Sequence, residues 1–128
     1  MTRINVAIAP RKLTDRHLLA EHREIKRIPN ALAKYGVNLN LKNLPKEFTL
    51  GTGHVRFFYD KGLYTYNRYI EIYKECKLRN FNVEFYGDAW HVYKDYPSLY
   101  KDYAPTDKDF EAIKKRLVTK DKRYIGLL

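Results

Sequence analysis

A chain of 128 residues has room for one domain with a single hydrophobic core. Its one cysteine, Cys76, rules out an intramolecular disulfide framework and favours a reducing compartment. No apolar run reaches membrane-spanning length and the N-terminus lacks the charged-then-apolar layout of a secretory leader, so a soluble, cytoplasmic protein without membrane contact is expected. The formal charge of +10, from 25 Lys and Arg against 15 Asp and Glu, comes with 12 tyrosines. Cations serve phosphates and rings serve bases, so the composition points to nucleic acid; the alternative is a basic, Tyr-rich core.

The first apolar stretch (Ile4, Val6, Ala7, Ile8, Ala9) begins almost at residue 1, which predicts a terminus packed into the fold. Thr2 is small enough for Met1 to be removed, leaving the amine of Thr2 at the front of the mature chain. Thr14 is an N-cap for a first helix with Asp15 in its first turn. That helix is predicted to reach about Arg27 and onward, with a kink or a restart at Asn30 caused by Pro29, and to stop at Gly36. Residues 36–53 read as loop, and His54 to Asp60 as an extended or turned piece packed inside. A second helix is predicted from about Thr65 to Leu78, ending at Arg79-Asn80. Residues 81–104 are Tyr-rich without steady periodicity and read as an irregular wrap around the core. Thr106 caps a third helix, with Asp107 and Asp109 at its positive end and Phe110, Ile113, Leu117 and Val118 along its apolar stripe. The whole reads as one all-α domain over 1–128, with three main helices and irregular connections.

Successive helical residues turn by roughly 100°. With Arg16 at zero, Ala20, Arg23 and Arg27 fall within roughly 40° of it and Glu24 at about 80°. Leu18 and Ile25 lie opposite. One face is a core stripe; the other stacks three arginines around one carboxylate. Such a face is either a solvated Arg-Glu pair of little energetic weight or a phosphate clamp around an acid-base group. His17 and His22 do not share a face, so no metal site with Glu21 is expected. Gly51-Thr52-Gly53 lacks the third glycine of a dinucleotide motif, where Arg56 stands, and reads as a tight turn. Cys76 reads as core, and His54 to Lys61 as packing. Lys114, Lys115, Arg116, Lys120, Lys122 and Arg123 read as a phosphate surface or as solvated charge.

Several segments occur together and in order: Thr2-Arg3-Ile4-Asn5, then His17-Leu18-Leu19-Ala20-Glu21-His22-Arg23-Glu24, then Leu50-Gly51-Thr52-Gly53-His54-Val55-Arg56-Phe57-Phe58-Tyr59-Asp60-Lys61. Ile70-Glu71-Ile72, Glu75-Cys76 and Phe81-Asn82 follow. Up to about residue 83 this pattern resembles the pyrimidine-dimer DNA glycosylase/AP lyase family of the phage endonuclease V type. Beyond that, only a third helix and a basic tail are similar. The resemblance implies a compact fold of three helices whose N-terminal segment threads between them. It implies that the α-amine of Thr2 is the nucleophile, that Glu24 is the essential carboxylate, and that Arg3, Arg23 and Arg27 contact DNA. Arg16 stands where the family carries a neutral polar side chain, and its place on the helix face adds it to the phosphate contacts; Arg116 and Lys120 are expected to join them. The implied partner is double-stranded DNA carrying a lesion, met by a monomer with no metal and no organic cofactor. Two alternatives stay open: the same chemistry on another modified base or on abasic sites alone, and a noncatalytic basic nucleic-acid-binding module.

Overall fold

Helices form where the sequence places caps and apolar stripes. In the computed structural model, which describes residues 2–128, α-helices and short 3-10 segments carry the chain, and no β-strand forms among the described residues. The all-α expectation therefore holds. Met1, whose removal the sequence leads one to expect, lies outside the described residues. No helix among them is long and apolar enough to cross a membrane.

Helix α1 spans Asp15–Glu24, and the Thr14 hydroxyl accepts the His17 N–H at 3.4 Å, as a capping residue should. The expectation that this helix runs on to Arg27 is corrected. The chain breaks at Ile25 and Lys26 and restarts as α2, Arg27–Tyr35. Pro29 is the reason. A continuous helix would need its missing N–H on the Ile25 carbonyl, whereas in the first turn of α2 no such bond is called for. Gly36, at φ 50°, ends α2 with the Tyr96 hydroxyl 2.8 Å from where a Cβ would stand.

Residues 36–53 are loop with two 3-10 turns, Gly36–Leu39 and Leu41–Asn43. The Arg56 guanidinium anchors them by donating to Leu39 O at 2.6 Å and Asn40 O at 3.0 Å. The inward-packed piece at 54–60 opens with a single helical turn, α3, His54–Phe57, entered through Gly53 at φ 96°. Helix α4 spans Gly62–Leu78, starting three residues before the expected Thr65. Thr65 lies inside the helix and is wholly buried: its hydroxyl donates back to Lys61 O at 3.0 Å and accepts the Trp90 indole N–H at 3.0 Å. Residues 81–104, expected to be irregular, form 3-10 segments at Gly87–Asp95 and Pro97–Leu99, joined and flanked by irregular chain. Helix α5, Asp107–Lys120, opens with a reciprocal capping box between Thr106 and Asp109.

One core joins these pieces, and the N-terminal segment runs through it. Ile4, Val6 and Ile8 are wholly or almost wholly buried, each contributing about 1.5–3 kcal/mol of transfer free energy. Helix α1 packs against α4, and the Gly87–Asp95 segment packs against both α2 and α4. The stripe that α1 buries is Leu18, Glu21 and His22, continued by Ile25 at the break, while α4 buries Thr65, Arg68, Tyr69, Ile72 and Cys76. Polar residues therefore face polar residues across this interface. Glu21 meets Arg68, and His22 Nε2 meets the Tyr69 hydroxyl at 3.0 Å.

Candidate active site

Glu24 is the last residue of α1, at the break that Pro29 imposes, so the chain turns away immediately after it. Its side chain is 14% exposed and lies between two arginines: Arg23 Nη2 is 3.4 Å from Oε2 and Arg27 Nη1 is 3.7 Å from Oε1. The same Arg27 nitrogen donates to the Thr2 hydroxyl at 3.3 Å. Arg27 thereby ties residue 2 to Glu24, although it belongs to α2 and not to the continuous helix from which its direction was inferred. Thr2 itself is buried, whereas the side chains of Arg23 and Arg27 are 61% and 57% exposed. The arginines thus keep donors free for anions in solution while also touching the carboxylate.

A hollow of about 500 Å³ opens beside Glu24. Arg16 and Arg23 reach it from α1, Arg3 from the N-terminal segment, and Arg116 and Lys120 from α5. Glu24 and Glu21 are its carboxylates, and Glu21 is already engaged by Arg68. The hollow is therefore strongly cationic around a single carboxylate not paired at the core. The crowding is felt by the cations themselves. Burial, and then the charge of Arg116, lowers the affinity of Arg3 for its proton. Burial also lowers that of Arg116, against the opposing pull of Glu24. Such a field attracts phosphates and resists further positive charge.

The floor of the hollow is the N-terminal segment. Arg3 Nη1 donates to Leu50 O. The Ile4 N–H donates to His54 Nε2 at 2.9 Å, and the Asn5 side-chain amide donates to Glu21 Oε1 at 2.8 Å. One wall is His17, whose Nδ1 lies 2.6 Å from the Tyr124 hydroxyl, with the rings stacked at 5.5 Å. Burial first, then Arg116 and Arg16, disfavours the charged form of His17.

The structure thus brings Arg3, Arg16, Arg23, Glu24, Arg116 and Lys120 around one hollow, with Thr2 and Arg27 joined to it through Glu24. Arg123, by contrast, is paired with Asp121 at 2.6 Å. His17, Glu21 and His22 turn to three different partners, Tyr124, Arg68 and Tyr69. Sequence reasoning missed the support beneath the site, namely Asn5, Glu21, His54 and Arg68. Arg68 carried a signal, because it stands on the buried stripe of α4, where an arginine calls for a buried partner. His54 carried none.

A family model described as pyrimidine dimer DNA glycosylase matches residues 1–85. The match covers Thr2, Arg3, Arg16, Arg23, Glu24 and Arg27; helix α5, with Arg116 and Lys120, lies beyond it.

Proposed function

The chain belongs to the pyrimidine dimer DNA glycosylase family, and from that premise we propose that it excises cyclobutane pyrimidine dimers through an imine formed by the α-amine of Thr2, then nicks the strand by β-elimination. The observation that carries this reading is the Thr2–Arg27–Glu24 contact beside a cationic hollow.

The choice of amine follows from acidity. A lysine amine with a pKa of about 10.4 is free in roughly one molecule in 2,500 at pH 7; an α-amine at about 7.7–8.0 is free in roughly one in ten. The cations nearby push in the same direction, by disfavouring a further positive charge. The Thr2 amine attacks C1′ of the deoxyribose carrying the 5′ pyrimidine of the dimer. The C1′–N bond breaks, and its electron pair leaves with the base, which is then protonated. Ring opening moves the C1′–O4′ pair onto O4′, which takes a proton, and leaves a protonated imine between C1′ and the protein. The imine acidifies the C2′ proton. Its removal drives cleavage of the C3′–O3′ bond, which is the lyase step. Glu24 stabilises the cationic sugar and carries protons between amine, O4′ and C2′. Arg3, Arg16, Arg23 and Arg27, with Arg116 and Lys120 from α5, hold the phosphates on either side of the opened nucleotide.

Borohydride trapping tests this. Protein of verified N-terminal mass is mixed with UV-irradiated, abasic and undamaged duplexes, beside a sample whose terminal amine is blocked by acetylation or by retained Met1. A covalent adduct on irradiated DNA that is lost on blocking is expected. An adduct on abasic DNA alone moves the substrate to abasic sites. Duplex binding with no adduct anywhere overturns the imine and favours a noncatalytic module.

A further inference from the structure

The N-terminal segment lies in the core without a sheet to hold it, so its buried N–H groups must find partners elsewhere. Among the described residues 2–9, one backbone-to-backbone bond links the segment to itself, from Ile8 N–H to Asn5 O at 3.3 Å. The groups nearest residue 2 are instead held by side chains and by one loop. Ile4 N–H goes to His54 Nε2 at 2.9 Å, and Asn5 N–H goes to Glu21 at 3.4 Å. Residues 49–54 serve both ends of the pin: Leu50 O receives Arg3, and Thr49 O receives the other nitrogen of His54.

We propose that His54 is a positioning residue for the reaction at Thr2, its Nε2 lone pair fixing the backbone of residue 4 and with it the place of residue 2, whose hydroxyl Arg27 links to Glu24. The inference rests on the imine chemistry proposed above.

The hydrogen bonds dictate the tautomer. A carbonyl can only accept, so the 2.7 Å contact with Thr49 O puts the ring proton on Nδ1. Nε2 is then a lone pair, and the Ile4 N–H is its donor. The ring is 2% exposed and has little freedom to turn. Phe48 and Phe58 meet it edge-on, at 5.5 Å and 5.3 Å between centroids. Burial disfavours the imidazolium strongly, which keeps the acceptor available. Two residues span at most about 7 Å of extended chain, so pinning residue 4 leaves the residue 2 nitrogen a small sphere to explore. A misplacement of about 1 Å in a reacting group costs on the order of a hundredfold in rate.

Two variants separate the two ring nitrogens. His54→Asn keeps a donor near Nδ1 for Thr49 O but has nothing to offer Ile4. His54→Gln extends a carbonyl to the Nε2 position. The readouts are the single-turnover trapping rate on an abasic duplex and the dissociation constant for a non-reactive tetrahydrofuran duplex. For His54→Asn, trapping is expected to slow by at least about tenfold, with the dissociation constant within about twofold of wild type. For His54→Gln, trapping is expected within about threefold of wild type. Equal trapping by the two variants overturns the inference, as does a parallel loss of binding and trapping in His54→Asn. A wild-type protein that forms no adduct overturns both this inference and the imine chemistry; an adduct in wild type that His54→Asn forms equally fast overturns this inference alone. If both variants lose their melting transition, the ring ¹⁵N spectrum of the wild-type protein decides. A bare Nε2 coupled to the Ile4 amide supports the pin, and a protonated Nε2 at neutral pH overturns it.

Discussion

Glu21 and Arg68 meet side by side across the α1–α4 interface, Nε to Oε2 at 2.7 Å and Nη2 to Oε1 at 3.0 Å, with both residues buried. The pair does not stand alone. Arg68 Nη1 also donates to Ile8 O, and the Asn5 amide donates to Glu21 Oε1. Removing one partner of a buried pair leaves an uncompensated charge, which costs about 3–5 kcal/mol. Arg68→Met is therefore expected to lower unfolding stability by about 4 kcal/mol in urea denaturation. Arg68→Met combined with Glu21→Gln should recover part of that loss, because no charge is then left unpaired.

Glu24 has a different role from Glu21, although both lie on α1. Its contacts are with exposed arginines at the rim, so Glu24→Gln should leave the melting temperature almost unchanged. Base release should fall by at least about a hundredfold, while duplex binding survives or tightens as a negative charge leaves the phosphate site. Gel-shift titration beside a glycosylase assay checks this. Equal loss of both would refute the role assigned to the carboxylate.

Arg27 touches Thr2 and Glu24 while more than half of its side chain faces solvent. Arg27→Ala should weaken binding to damaged and undamaged duplex alike and reduce the slope of log K against log salt by about one unit. The structure adds a second expected effect. With the link between residue 2 and Glu24 cut, trapping at saturating DNA should also slow. A loss confined to damaged DNA would mean that Arg27 reads the lesion.

His54 couples stability to pH. Burial lowers its pKa from the ordinary 6.5 to about 4. Above pH 6.5 the ring is neutral in both folded and unfolded chains, and the contribution is fully present. As the pH falls from about 6.5 to about 4 the unfolded chain takes up a proton that the folded one refuses, so stability is lost, by up to about 3 kcal/mol. Burial lowers His17 and His22 as well, so they add in the same direction. Urea midpoints should therefore fall between pH 6.5 and pH 4, and His54→Gln should flatten that fall.

Local chemistry was legible in the sequence. Thr14 and Thr106 cap their helices, Gly36 ends α2, and Asn80, at φ 63°, follows α4, because caps and left-handed turns are decided within a few residues. The break after Glu24 was misplaced because Pro29 acts four residues upstream, on the Ile25 carbonyl. Helix α4 begins three residues before the expected Thr65, whose hydroxyl accepts from Trp90, 25 residues away. The same division runs through the site. The arginines and Glu24 could be placed on one face by helical geometry. Asn5, Glu21, His54 and Arg68 take their meaning from partners 16 to 60 residues distant, and no local spacing encodes those.

The threaded N-terminal segment depends on distant parts of the chain. The groups that seat its residues lie far along the chain: Arg3 is 47 residues from Leu50, Ile4 is 50 from His54 and Ile8 is 60 from Arg68. Its seat is complete only with α4 in place, because Arg68 of that helix donates to Ile8 O. The N-terminal segment is thus held by contacts that reach past the middle of the chain.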